Sequence, residues 1–254
     1  MPMAEPLAEK AIPYSALAKY YDQIMEHVNY RQWANYIKIL FRYSNRSVRH
    51  VGDLACGTGS LLRYLGGFKR KAFGFDLSLA MLRVARHKSE HVPLTCANFL
   101  RLPIKPLSFD AALILYDSIN YLHSDDEIRN VFGEVHKILR SGGIFVFDVV
   151  TPHLCSTVFR HYEEEGMIDE ANRYWRRSYF VPEKQMQVNQ FRIWINGRLY
   201  EEEHQQKIWT LGHWNELVAD SPFKLVKIFS NFSLNPAHEN SERAHFVLIK
   251  RSRK

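Results

Sequence analysis

The chain has 254 residues, 46% hydrophobic and 24% charged, with 34 Lys and Arg against 27 Asp and Glu for a formal net charge of +7. That balance excludes global disorder, and twelve Gly and ten Pro are too few for a collagenous or low-complexity chain. Apolar runs such as Ile144–Phe147, which stops at Asp148, fall far short of the ~18–20 residues of a membrane helix. Three cysteines (Cys56, Cys96, Cys155) make no CxxC pair, which fits a reducing compartment, and the Met1–Leu7 stretch lacks a secretory pattern. The expectation is a cytoplasmic protein. Its basic residues are dispersed except at Lys69-Arg70-Lys71 and in the Arg251–Lys254 tail, as on a solvated surface.

In chain order, apolar residues at helical spacing over Ser15–Tyr43 predict two amphipathic helices broken near Val28-Asn29. Val48–Leu54 reads as a strand running into Ala-Cys-Gly-Thr-Gly, followed by a helix over Ser60–Leu65. Ala72–Phe75 is a second strand ending at Asp76, and Ser78 is placed to cap a helix across Leu79–His87. Val92–Ala97 and Phe109–Leu115 are further strands. Ser124 with Asp125, Asp126 and Glu127 has helix-start chemistry, and that helix is expected to end at Gly142-Gly143. Ile144–Val150 is the fifth strand. Apolar strands alternating with helices imply a doubly wound, mostly parallel sheet.

After Pro152 the pattern turns aromatic and β-branched over Tyr174–Val181, Met186–Ile195 and Leu199–Trp209, with the hairpin dipeptide Asn196-Gly197 between the last two. A helix over Leu211–Asp220 and strands at Phe223–Phe232 and Ala244–Lys250 return the chain to a seven-stranded main sheet. The expected organisation is a helical lid over 1–46, an α/β core over 47–152 and 210–254, and a small antiparallel insert over 153–209.

Ligands of such sheets bind beyond the carboxyl ends of the strands. Gly57 and Gly59 permit a tight turn there with close backbone approach, and Asp76 can accept both hydroxyls of a ribose. Asn98 and Phe99 offer an amide and an aromatic ring to an adenine. A pyrophosphate dinucleotide wants a third glycine, where Leu62 stands, and no P-loop occurs. Asp53 instead suits a cationic ligand, and S-adenosylmethionine carries a sulfonium and an ammonium.

The ordered segments Val51–Gly59, Gly74–Leu82, Leu102-Pro103, Ser108–Asp110 and Leu139–Gly143 resemble the motifs of class I S-adenosylmethionine-dependent methyltransferases, with a Rossmann-like fold. Tyr14–Asp22, Tyr30–Trp33, Asp117–Leu122 and Glu202–His204 resemble a narrower branch of small-molecule N-methyltransferases, acting on glycine or nucleotide-linked amino sugars. The resemblance implies that Asp53, Ala55, Gly57 and Gly59 hold the methionine moiety, Asp76 the ribose, and Leu77 and Met81 the adenine. Asn98 stands where the family often has Asp. Tyr14, Tyr21, Tyr30 and Trp33 are expected to fold over the methionine end as a lid, with Tyr116 also at the cofactor.

Transfer to an amine or hydroxyl needs alignment, exclusion of water and removal of a proton. Tyr116 and Asp117, at the end of the fourth strand, are candidates to bind the acceptor or take that proton. The Asn196-Gly197 turn pairs Ile195 with Arg198, Ile193 with Tyr200 and Phe191 with Glu202, which puts Glu202 and His204 on one partly apolar face. His204 is therefore a candidate base, its ring ordered by Glu202. His87 and His91 share a helical face but have no third ligand, so no metal site is expected. The expected partner is a small-molecule acceptor of a monomer or homodimer, without a membrane. RNA or DNA methylation is the runner-up, weakened by the lack of an Asn/Asp-Pro-Pro-aromatic motif, a Pro-Cys dipeptide or a basic stripe. A cofactor-binding scaffold without activity is the third reading.

Overall fold

The computed structural model describes residues 7–67 and 69–251. Residues 1–6 and the end of the basic tail lie outside them. The elements in order are β1 (Ala8–Lys10), α1 (Tyr21–Ile24), α2 (Tyr30–Leu40), β2 (His50–Asp53), α3 (Leu62–Leu65), β3 (Lys71–Asp76), α4 (Leu79–Lys88), β4 (Leu94–Cys96), β5 (Phe109–Ile114), α5 (Asp125–Ile138), β6 (Leu139–Val150), α6 (Pro152–Thr157), β7 (His161–Met167), β8 (Arg173–Val181), β9 (Met186–Ile195), β10 (Arg198–Lys207), α7 (Leu211–Ala219), β11 (Phe223–Ser230) and β12 (Arg243–Lys250). Short 3₁₀ turns add Leu17–Lys19, Phe41–Tyr43, Ser118–Tyr121 and Pro182–Lys184.

Seven strands form one sheet in the order β11-β12-β6-β5-β2-β3-β4. Pairs from β6 through β5, β2 and β3 to β4 are parallel, and β12 enters antiparallel between β6 and β11. The doubly wound α/β expectation therefore holds. Every residue of β5 is buried, as a central parallel strand covered on both faces must be. One core layer packs Phe132, Phe145, Phe147, Trp214 and Phe246 between the sheet, α5 and α7. The opposite layer packs Trp33, Ile37, Leu40, Leu62, Leu113 and Val247 under α2 and α3.

Helix starts follow the sequence chemistry. Ser78 accepts from Met81 N–H, Asn29 from Gln32 N–H, and Ser124 and Glu127 form a reciprocal capping box. Two expectations are corrected. The first N-terminal helix is only a 3₁₀ turn and four residues of α1, before the break at Val28-Asn29. The helix expected to reach Gly142-Gly143 stops at Ile138, because Leu139 is already extended and pairs with Phe109. Gly142, at φ +74°, lies inside β6, and a side chain there would press on Asn45. Helix ends and strand irregularities both favour a left-handed glycine.

The second sheet is a five-stranded layer, β1-β10-β9-β8-β7. Its hairpin has the expected register, Ile195 opposite Arg198 and Phe191 opposite Glu202, closed by Asn196 and Gly197 at φ +50° and +78°. Two strands were not foreseen. β7 pairs with β8, and β1, within the segment expected to be a helical lid, runs parallel beside β10. That strand carries the N-terminal segment from the insert to the carboxyl end of the main sheet.

Candidate active site

Beyond β2, Gly57 and Gly59 adopt φ +54° and +72°, the left-handed conformation that makes the loop. A Cβ at Gly57 would meet nothing within 4 Å, so that backbone faces open space. Asp76 borders it at the end of β3, its Oδ2 accepting Gly57 N–H at 2.7 Å and its Oδ1 accepting Ser78 N–H at 2.8 Å. Asp53, 2% exposed, has only the long 3.4 Å bond from Ala55 N–H. Burial pushes its carboxyl up to about 7; the Ala55 amide opposes this and nearby Asp76 adds to it. Burial raises Asp76 as well. Two largely buried carboxylates, Asp53 with a single long hydrogen bond, thus border the glycine loop, an arrangement suited to a cationic group.

The residues expected at the adenine differ in exposure and partners. Leu77 is 69% exposed, whereas Met81 is buried. Asn98 Oδ1 accepts Leu100 N–H at 2.8 Å, and Phe99 packs against the main core.

The N-terminal segment folds over the glycine loop. Asp22 on α1 accepts from Thr58 Oγ1 at 2.6 Å and Ser60 Oγ at 2.9 Å and pairs with Lys88 of α4. Burial raises the Asp22 carboxyl, but Lys88 and the two hydroxyls outweigh it and hold the group below the usual range. Tyr14 takes φ +62°, strained for a tyrosine. Its N–H donates to Glu202 Oε2 at 2.6 Å, its carbonyl accepts from Ser78 Oγ at 3.0 Å, and its hydroxyl lies 2.7 Å from that of Tyr121. Tyr21 sets its ring edge-on to Tyr14, the centroids 5.9 Å apart. Tyr30 packs at the margin of the α2 core layer. Trp33 lies elsewhere, against Tyr116, Phe232 and His245.

Glu202 and His204 are both 2% exposed, on the inner face of the second sheet. Glu202 Oε1 accepts Ala16 N–H at 2.6 Å and Leu17 N–H at 2.9 Å, and its Oε2 lies 3.2 Å from His204 Nε2. His204 Nδ1 is 2.9 Å from the Tyr121 hydroxyl, and its ring packs against Tyr14 and Phe191.

Tyr116 and Asp117 are consecutive left-handed residues, φ +59° and +51°. Asp148, buried on β6, accepts both of their N–H groups, at 2.7 and 3.1 Å. Asp117 Oδ2 accepts from Gln206 Nε2 at 2.6 Å and Oδ1 from Arg243 Nη2 at 2.8 Å, and Arg243 also pairs with Asp148. Burial raises both carboxyls while Arg243 pulls against it. Burial pushes Tyr116 up to about 12. Tyr121, Gln206, Arg243 and Asp148 were not singled out from sequence; Tyr121 sat within the Asp117–Leu122 segment without a spacing signal of its own. Among the described residues no cluster of His, Cys, Asp and Glu can hold a metal, and no helix is long and apolar enough to cross a membrane.

Residues 51–143, the segment carrying this loop and both carboxylates, match the methyltransferase-domain family. YqeM of Bacillus subtilis, whose methyltransferase designation is itself provisional, is 28% identical over 245 residues, covering 92% of this chain and 95% of that protein. In fold, the chain is similar to an S-adenosylmethionine-dependent methyltransferase from Clostridium acetobutylicum, with a TM-score of 0.80 at 22% identity over 94% of this chain and 99% of that one. It is also similar to the sugar N-methyltransferase KedS8 from a Streptoalloteichus species, with a TM-score of 0.76 at 20% identity over 97% and 98%. The fold is that of S-adenosylmethionine-dependent methyltransferases. The chain carries a methyltransferase domain over residues 51–143.

Proposed function

We propose that the protein transfers the methyl group to a small-molecule amine or hydroxyl. The observation that carries this reading is the hydrogen-bond chain linking Glu202, His204, Tyr121 and Tyr14. Glu202 already accepts from the backbone N–H groups of Tyr14, Ala16 and Leu17, so in this reading His204 Nε2 is the donor towards it and Nδ1 accepts from the Tyr121 hydroxyl. Tyr121 oxygen then accepts from Tyr14. The proton-accepting end of this relay is His204 Nδ1, reached through the Tyr121 phenol. An acceptor hydroxyl or ammonium against Tyr121 can pass its proton to Tyr121 as Tyr121 passes its own to His204.

S-adenosylmethionine supplies an electrophilic methyl on a sulfonium. Asp53 with the Ala55–Gly59 backbone would hold its ammonium end and Asp76 its ribose. Leu77 and Asn98 would border the adenine, with Met81 and Phe99 as the packing beneath. Tyr14 and Tyr21 would exclude water, and Tyr116 and Asp117, fixed by Asp148 and Arg243, would line the acceptor side. The sugar N-methyltransferase KedS8, with the same fold, supports a small acceptor. The test is incubation with methyl-labelled S-adenosylmethionine and separate pools of small amines, small alcohols, RNA and duplex DNA. Label is expected in a small-molecule pool; label confined to nucleic acid would refute the reading.

A further inference from the structure

Two side chains on the inner face of the second sheet have polar groups that this chemistry leaves unused. Arg176 on β8, opposite Phe191, has its guanidinium 5.5 Å from the ring centroids of Tyr162 and Phe191 and 5.9 Å from that of Phe159. Nη2 donates at 3.3 Å to Asn189 Oδ1, an oxygen that also accepts from Ser178 Oγ at 2.5 Å. Its Nε is shielded from solvent and has no partner, and it forms no ion pair among the described residues. Glu164, an acid on the same face, already accepts from the hydroxyls of Tyr162 at 2.7 Å and Tyr174 at 2.5 Å. Gln187, two residues from Asn189 on the same face of β9, is 2% exposed with neither amide atom bonded. It lies opposite Gln206, whose amide holds Asp117.

The guanidinium is walled by three aromatic rings and has one shared neutral oxygen as its hydrogen-bond partner. Glu164, opposite it on β7, feels its charge but spends its oxygens on Tyr162 and Tyr174, so the fork is open to a directly bonded anion. A buried primary amide with no bonds costs free energy until something polar reaches it. Both lie on the face of the second sheet from which Gln206 bonds Asp117. Resting on the small-molecule reading above, we propose that Arg176 and Gln187 form the acceptor-recognition subsite. The acceptor then carries an oxyanion, carboxylate or phosphate, which pairs with the Arg176 fork while the Gln187 amide bonds a neighbouring polar group.

The test is calorimetric titration of the protein, first saturated with S-adenosylhomocysteine, with inorganic phosphate and separately with acetate. Saturable binding of one of them is expected, and the arm that responds names the oxyanion. Arg176→Gln should weaken it about ten- to hundredfold, the worth of a lost charge-assisted contact. Arg176→Lys, which keeps the charge but not the fork, should fall between. Arg177→Gln, on the outer face opposite Glu163, should leave it unchanged. No binding of either anion, or equal effects of Arg176→Gln and Arg177→Gln, would overturn the proposal while intact S-adenosylhomocysteine binding leaves the methyl-transfer reading standing. Absence of S-adenosylhomocysteine binding would overturn both.

Discussion

Glu202 and Tyr14, far apart in sequence, are joined by a 2.6 Å hydrogen bond from the Tyr14 amide to a fully buried carboxylate. The same carboxylate receives the amides of Ala16 and Leu17 and faces His204. One side chain of the second sheet therefore holds the segment covering the glycine loop and contacts the proposed base.

Two variants separate these duties. His204→Ala should lower turnover about 10²–10⁴-fold, the usual worth of a positioned base, with S-adenosylhomocysteine affinity near wild type. Steady-state rates and calorimetry on the same preparations check this; undiminished turnover would shift the role to Asp117 or Tyr116.

Glu202→Gln should loosen the cover as well as slow the reaction, because charge-assisted bonds from backbone N–H groups weaken by about 1 kcal/mol or more each. Amide hydrogen exchange at Tyr14, Ala16 and Leu17 should quicken relative to wild type and to His204→Ala. Unchanged protection would show that β1 and Asp22 suffice to hold the segment.

Asp53 ties stability to pH. Its folded-state value of about 7 lies above the ~3.9 of an unfolded aspartate. The folded protein therefore binds more protons between those limits, and ligand-free stability falls as pH rises through the window. Asp53→Asn should flatten that slope and raise the melting temperature at pH 8. It should also weaken S-adenosylmethionine binding, which in wild type should strengthen as pH rises towards 7. Parallel slopes for the two proteins would contradict the assignment.

Arg243 neutralises two carboxylates, the part-buried Asp117 and the fully buried Asp148. Removing one partner of a buried ionic cluster costs about 3–5 kcal/mol, so Arg243→Ala should be strongly destabilised in urea unfolding. Adding Asp148→Asn should restore part of the loss, by removing one uncompensated charge, even though Asp148 also accepts the Tyr116 and Asp117 amides. A double variant no more stable than the single would place the cost in packing.

The sequence was most legible where chemistry is local. Ser78 and Ser124 cap helices because their oxygens reach amides three residues on, and Asn196-Gly197 sets the hairpin register that puts Glu202 and His204 on one face. Gly57, Gly59 and Asp76 lie at the expected end of the sheet for the same reason. It was least legible where partners are remote. β1 has three exposed residues and no alternation to mark it. Arg243 meets Asp117 from the other end of the chain, and nothing in the spacing of either announces the pair. Gly142 was ambiguous in kind, since a helix terminus and a kinked strand ask for the same backbone conformation. Trp33 has helical spacing that fits a lid or a core equally, and the structure uses it against Tyr116 and His245.

The most direct measurement of the central claim is calorimetric binding of S-adenosylhomocysteine to wild type and Asp76→Ala. Asp76 is expected to accept both ribose hydroxyls through charge-assisted bonds of about 1.5–3 kcal/mol each. Wild type should bind saturably at one site, and the variant at least tenfold more weakly while remaining folded. Equal affinity in the two proteins would contradict the placement of the cofactor between the Gly57–Gly59 loop and Asp76.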